Sequence, residues 1–165
     1  MSSPLTFARC RGGRFQIGLS PLETIQRYVQ NDPVRHEFGG VLLGRHIIAT
    51  CDIIVDHVTT PLPGDRHSRF HFFRARRRHQ EAIDDAWRQS GGTRTYLGEW
   101  HTHPETVPVP SLVDRLEWQR KLMFDEFSDA IFFVIVGTET LCVWEGSRAG
   151  LSLRAVPLMK EYVTH

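Results

Sequence analysis

Residues 96–114 read YLGEWHTHPETVPVPSLVD, and the organisation of the chain follows outward from this stretch. Residues 96–101 have the composition of a strand, and the prolines that follow predict a loop. Ser111 then begins a Ser-x-x-Asp sequence, which is a capping signature at the start of a helix. The stretch therefore predicts a strand, a loop and a helix over residues 111–123, with one helix side formed by Leu112, Leu116, Gln119 and Met123.

Strand and helix patterns alternate on both sides of this stretch. Residues 130–136 are apolar throughout, which is typical of a central strand buried on both faces. A helix is predicted from Ser20, as N-cap of a capping box with Pro21 at the first helical position, to residue 29, and another over residues 74–89. Further strands are predicted at residues 15–17, 39–44, 47–55, 141–144 and 151–155. Because hairpins outnumber strand–helix–strand units, we expect one α/β domain over residues 1–165, a three-layer α/β/α sandwich with a mixed sheet.

Composition excludes several classes of protein. Of 165 residues, 41% are hydrophobic and 24% charged, which fits a folded domain rather than a disordered or collagen-like chain. The apolar run at residues 130–136 is far shorter than the roughly 20 residues of a membrane helix. The N-terminus lacks a basic start leading into an apolar stretch, so we expect no secretory signal and no membrane partner. The cysteines, Cys10, Cys51 and Cys142, form no Cys-x-x-Cys pair, which favours a reduced, cytoplasmic protein.

Two histidines and an aspartate have the spacing of a metal site. His101 and His103 are two residues apart on an extended segment, so both imidazoles project to one side. Asp114 lies one helical turn after Ser111, where its carboxylate can face the end of the strand. Two imidazoles and one carboxylate leave one coordination position open, as in catalytic rather than structural zinc sites. Zinc lowers the pKa of water at such a position to about 7.

Each part of this pattern has an alternative interpretation on its own. Paired histidines also occur on ordinary surfaces, and Ser111 with Asp114 also fits a helix cap without a site. Glu37, which precedes the run Gly-Gly-Val-Leu-Leu-Gly at residues 39–44, is a candidate base but also fits a solvated loop. The coincidence of the parts at this spacing favours the catalytic interpretation.

Together these residues resemble the JAMM motif of the JAB/MPN metalloprotease family. The resemblance extends over residues 15–156, and Tyr96 to Pro104 with Pro63-Gly64-Asp65 ahead of Arg69-Phe70 is most similar to the short bacterial Mov34/MPN branch. It implies His101, His103 and Asp114 as ligands of Zn²⁺. It also implies Glu37 as the general acid and base and Ser111 as a hydrogen-bond donor to the oxyanion.

The resemblance implies a zinc isopeptidase. Its substrate would be a protein with an extended C-terminal tail, ubiquitin-like or a cyclic-oligonucleotide synthase (CD-NTase), joined to a lysine. Members of this branch are encoded beside ubiquitin-like E1 and E2 enzymes, including in anti-phage CBASS operons. Alternatives within the hydrolases are release of a small group from a carrier protein and trimming of a ubiquitin-like precursor. A catalytically inactive MPN scaffold is less favoured, because no ligand and no glutamate is missing.

An arginine cluster follows the predicted loop. Six arginines fall between Arg66 and Arg78, interleaved with three phenylalanines. Arginine with aromatic residues is a pattern of nucleic-acid binding, as in a protein of the RadC type. Acidic residues follow directly, and the net charge is only +1. We therefore favour a solvated face over a partner-binding surface, and we favour both interpretations over a nucleic-acid-binding surface.

Overall fold

The computed structural model describes residues 3–127, 129–148 and 153–162. Within them lie three helices: α1 (Leu19–Gln26), α2 (Arg76–Gln89) and α3 (Leu112–Phe124). The strands are β1 (Leu5–Ala8), β2 (Arg14–Ile17), β3 (Gly39–Ile47), β4 (Asp52–Val58), β5 (Arg66–His67), β6 (Phe72–Phe73), β7 (Thr95–Thr102), β8 (Ile131–Val136), β9 (Leu141–Gly146), β10 (Ala155–Pro157) and β11 (Met159–Glu161).

These strands form one mixed sheet and one small hairpin. The described sheet has the order β10-β9-β8-β7-β3-β4-β2-β1-β11, and β5 pairs with β6 separately. The pairs β2–β4 and β7–β8 are parallel, and the neighbouring pairs β3–β4, β3–β7 and β8–β9 are antiparallel. The mixed sheet and interleaved helices confirm the α/β class. The single domain over residues 1–165 and the three-layer stacking stay predictions.

Strand β8 is the centre of the core, as its apolar sequence predicts. Every residue of β8 is buried. Phe132 and Val134 belong to a cluster that includes Leu22 and Ile25 of α1. Phe133 belongs to a second cluster that includes Trp118 and Leu122 of α3. Alternate side chains of β8 therefore belong to clusters that include different helices.

Strand β7 changes its alternation at Leu97. On its β3 side, Gly98 pairs with Leu42 but Tyr96 pairs with Leu43, so Leu97 is an extra residue, a β-bulge. Leu97 and Trp100 consequently share one core cluster although they are three residues apart. Glu99 instead points toward α3, where its carboxylate lies 3.4 Å from the ammonium of Lys121. His101, two residues further on, faces that same side, whereas Trp100 is buried in the core.

Several predicted element boundaries are wrong. Helix α1 begins at Leu19 with Gly18 as its N-cap and no side-chain cap, so Ser20 forms no capping box. The Gly18 carbonyl accepts from Leu22 and the Gly18 amide donates to Val55, which starts the helix directly after β2. The β3–β4 turn comes at residues 48–51, and α2 starts two residues late. The short strands β1, β5, β6 and β11 were not predicted, and residues 151 and 152 of the last predicted strand lie outside the described residues.

The predicted apolar side of α3 faces solvent. Leu112, Leu116 and Met123 are 73%, 55% and 52% exposed, whereas Trp118 and Leu122 are buried. Asp114 and Trp118, four residues apart, lie on one helix side. The side that packs on the sheet is thus the one that carries Asp114.

Among the described residues, no helix has the length and apolar character needed to cross a membrane.

Gly98 is expected to be required for the bulge in β7. Its φ is +149°, and a Cβ at this position would overlap the carbonyl oxygen of Phe132 in β8. Gly98→Ala should lower the free energy of unfolding by about 3 kcal/mol or more, because strain and overlap add. Gly12 also has a positive φ, +92°, but open space around it, so Gly12→Ala should cost only about 1 kcal/mol. Urea denaturation measures both, and equal losses would contradict a special role for Gly98.

Candidate metal centre

The two histidines of the motif lie at the end of β7, where neighbouring strands fix the backbone. The amide of Thr102 donates to the Phe38 carbonyl (2.9 Å), and the amide of His103 donates to the Val136 carbonyl (2.9 Å). Thr102 is fully buried, and its hydroxyl accepts from the Phe38 amide (3.1 Å). The Nε2 atoms of His101 and His103 lie 3.1 Å apart.

Asp114 is held in place by the start of α3. The Ser111 hydroxyl accepts from the Asp114 amide (3.1 Å), and the Asp114 carboxylate accepts from the Ser111 amide (2.6 Å). This is the predicted capping box. The Asp114 oxygens also lie 3.2 Å from His101 Nε2 and 3.3 Å from His103 Nε2.

The spacing of the two imidazoles and the carboxylate fits the ligands of a tetrahedral zinc ion. Metal–ligand bonds of about 2.0–2.1 Å at tetrahedral angles place the ligand atoms about 3.3 Å from one another. The Nε2 atoms of His101 and His103 lie 3.1 Å apart, and the Asp114 carboxylate lies 3.2 Å from His101 through Oδ1 and 3.3 Å from His103 through Oδ2. Two imidazoles and one carboxylate are also ordinary zinc ligands.

Glu37 reaches the same place from the loop before β3. It is 3% exposed, its amide donates to the Ser68 carbonyl (2.7 Å), and its Oε1 lies 3.6 Å from His103 Nε2. Glu37, His101 and His103 each have a potential ligand atom, and these three atoms lie within 4.8 Å of one another. Glu37 is therefore itself a possible ligand. Asp114 contacts both histidines more closely than Glu37 contacts His103. The distances therefore favour Asp114 over Glu37 as the third candidate ligand and leave Glu37 beside the candidate site.

The electrostatics of these carboxyl groups differ. Burial raises the pKa of Glu37 to about 8, although the neighbouring His103 lowers it. Burial also acts on Asp114, but hydrogen bonds with His101 and His103 hold its pKa well below the usual value. For His103, burial lowers the pKa, but the hydrogen bond with Asp114 and the negative charges of Glu37, Asp114 and Glu105 together outweigh burial, so the pKa is raised. A divalent cation at this site would favour the ionised form of both carboxyl groups.

Sequence reasoning did not assign a role to two residues near the histidines. Glu105, in the loop that follows β7, has its carboxylate 3.5 Å from His103 Nδ1 and accepts from the Val109 amide (3.0 Å). A carboxylate on the second ring nitrogen is a common way to orient a ligating histidine. Thr102 connects β7 to the segment that carries Glu37. In the sequence, the only indication of this structural role was the position of Thr102 between the two histidines.

Comparison with known proteins agrees with this geometry. Residues 23–147 match the family described as prokaryotic homologs of the JAB domain. The chain belongs to this prokaryotic JAB family. Two relatives, from Pseudomonas aeruginosa and Vibrio cholerae, are named CD-NTase/cGAS isopeptidase. Both are 37% identical to this chain. The alignment with the Pseudomonas protein covers 75% of this chain and 77% of that protein, and the alignment with the Vibrio protein covers 73% of each.

A solved structure has a similar fold. A protein from Desulfitobacterium hafniense superimposes with a TM-score of 0.56 at 22% identity, over 88% of each chain. The bacterial JAB branch suggested by the sequence motif is confirmed by the family and its relatives.

The Ser111 cap is expected to stabilise the protein without any metal. In the presence of EDTA, Ser111→Ala should lower the free energy of unfolding by about 1 kcal/mol, because the Asp114 amide loses its acceptor. Ser111→Thr, which keeps the hydroxyl, should lose much less. Thermal or urea denaturation measures the difference, and an unchanged Ser111→Ala would show that this cap contributes no stability.

Proposed function

We propose that this protein is a zinc-dependent isopeptidase. It would hydrolyse the amide bond that joins the C-terminal tail of a CD-NTase-type or ubiquitin-like protein to a target. The observation that carries this proposal is the close triangle of His101, His103 and Asp114 beside the buried carboxyl of Glu37. The names of the relatives support an isopeptidase acting on a CD-NTase conjugate.

In this proposal His101, His103 and Asp114 hold the metal ion. When bound, zinc would lower the pKa of a water molecule and polarise the carbonyl of the scissile bond. Asp114 is oriented by the backbone of Ser111 and His103 by the carboxylate of Glu105. These contacts fix the donor atoms before the substrate arrives.

Glu37 is the proposed general base and acid. Its carboxylate would accept a proton from the attacking water and deliver it to the nitrogen of the departing lysine. A group that takes and returns a proton works best with a pKa near the working pH, and burial moves the pKa of Glu37 in that direction. The hydrogen bond from its amide to Ser68 holds its backbone in place.

Ser111 is the proposed donor to the developing oxyanion. In the capping box its oxygen acts as the acceptor, so the hydroxyl proton stays available. Donation to the carbonyl oxygen as charge develops would stabilise the transition state.

The wider setting is part of the proposal. The resemblance to the bacterial branch suggests E1- and E2-like enzymes that form the conjugate, a role in anti-phage defence and a cytoplasmic location. Trimming of a ubiquitin-like precursor would use the same chemistry on a shorter substrate. Incubating the protein with a CD-NTase–lysine conjugate and with an uncleaved precursor, and comparing the products by mass spectrometry, separates these two reactions.

Removal of the ligands is expected to empty the metal site. His101→Ala, His103→Ala and Asp114→Ala should each reduce zinc well below one ion per chain, because three protein ligands are the usual number in a catalytic site. Plasma emission spectrometry on the purified variants measures this, with His57→Ala as the matched control, since His57 is on β4. Full zinc content in His101→Ala/His103→Ala would overturn the ligand assignment.

Glu37→Gln is expected to separate catalysis from metal binding. The amide keeps the size of the side chain but cannot accept the proton. Zinc content and melting temperature should therefore stay near wild type, while turnover of the conjugate falls by about 10²- to 10⁴-fold. Glu23→Gln, the same change on α1, is the control.

Two results would contradict this role for Glu37. Wild-type turnover of Glu37→Gln would move the base to another residue. Loss of zinc together with activity would make Glu37 a ligand, as its place among the possible donor atoms allows.

A further inference from the structure

A cavity of about 480 Å³ lies next to the metal centre. Its walls come from residues 66–76, which include the β5–β6 hairpin, from α3 and from β7. His101 and Asp114 are among its lining residues, so it opens onto the donor atoms. We refer to it as the side cavity.

Charged residues deep in the side cavity neutralise one another. Glu99 pairs with the guanidinium of Arg74 and lies 3.4 Å from the ammonium of Lys121. Arg74 also lies 3.9 Å from Asp125, and Lys121 lies 3.9 Å from Glu117. The side chains of Arg74, Glu99 and Lys121 are mostly buried. These pairs connect the hairpin segment, β7 and α3, and leave little net charge inside.

Of three further arginines around the side cavity, two have no carboxylate partner, and the third, Arg120, shares the single carboxylate of Glu117 with Lys121. Across residues 3–127, 129–148 and 153–162, no carboxylate lies within 4.0 Å of Arg66 or Arg76, and both residues are exposed. The closest ion pair of Arg120 is with Glu117, at 3.9 Å. Arg66 lies against the ring of Phe73, 5.9 Å from its centre. The unpaired charge of the side cavity is therefore positive and exposed to solvent.

Other arginines of the same run are already engaged. Arg77 and Arg78 pair with Glu81, at 3.3 and 3.7 Å, and Arg69 donates to the carbonyls of Asp32 and Pro33. A nucleic-acid backbone requires a continuous row of free cations. Here the free cations instead surround a cavity that leads to a site for amide hydrolysis. This arrangement favours an acidic peptide over a nucleic acid.

We propose that the side cavity receives the C-terminal tail of the substrate and that Arg66, Arg76 and Arg120 select tails with Asp or Glu close to the scissile bond. This inference rests on the proposed isopeptidase function. A lysine side chain needs only a narrow path to the metal, whereas an extended tail needs a groove. Guanidinium groups bind carboxylates through paired hydrogen bonds, and the exposed Phe73 and Phe124 offer contact to apolar side chains of the tail.

Matched isopeptide substrates test this selection. Short tails containing Asp and Glu, Asn and Gln, or Lys are joined through their C-terminal carboxyl group to the ε-amine of a reporter lysine. Wild-type protein should cleave the acidic tail with a kcat/KM at least fivefold higher than the amide tail, and rising salt should reduce this preference.

The variant Arg66→Gln/Arg76→Gln/Arg120→Gln should retain less than twofold preference, and Arg76→Glu should shift preference toward the Lys tail. Arg77→Gln, which alters an arginine paired with Glu81, is the matched control and should keep the wild-type preference.

A binding measurement keeps the inference separate from the activity. Fluorescence anisotropy of labelled tail peptides on Glu37→Gln protein should show the same order of affinities and the same loss in the triple variant. Cleavage of no tail, with acidic peptides still bound selectively, would overturn the proposed function and support only the selection of acidic peptides by the side cavity. Equal binding and cleavage of acidic and amide tails would overturn the inference alone. Displacement of the acidic peptide by single-stranded DNA at lower concentration would instead identify a nucleic-acid surface.

Discussion

The bulge in strand β7 is the constraint on which the metal centre depends. A strand alternates its side chains strictly, so one extra residue exchanges the two faces for everything that follows. Leu97 is that residue. After it, Glu99 and His101 face α3 while Trp100 faces the core. The bulge requires a backbone conformation and a closeness to Phe132 that Gly98 provides, so one glycine sets which way the site faces.

Around this strand, the site combines parts that are distant in sequence with hydrogen bonds that leave little freedom. Thr102 holds Phe38, next to Glu37, and His103 is held by Val136 of β8. A buried carboxyl such as Glu37 is destabilised when ionised unless a positive charge lies nearby. A cation bound by the histidines and Asp114 would supply that charge. The geometry that would bind a metal would thus also make the buried carboxylate of Glu37 tolerable.

The sequence predicted the site better than it predicted the surfaces around it. Motif spacing identified Glu37, His101, His103, Ser111 and Asp114, and the structure brings these residues together. The sequence prediction was wrong for α3, where the spacing of Leu112 and Leu116 suggested a buried side. Hydrophobic periodicity reflects residue type alone, whereas the orientation of the helix also places Asp114 toward the histidines. Arg74 looked like part of a solvated run, yet it pairs with Glu99, a contact that only the folded chain reveals. The short strands β1 and β11 carry too few residues for a pattern.

The capping box at Ser111 and Asp114 has an evolutionary consequence. The Asp114 carboxylate both bonds the start of α3 and faces the two histidines. A mutation that removes it therefore disturbs the helix as well as the donor set. If the chain has the proposed activity, a descendant that gives it up can lose Glu37 or a histidine without uncapping the helix. At position 114, the substitution most easily tolerated in such a descendant should be Asn, whose side-chain oxygen keeps the helix cap but carries no charge.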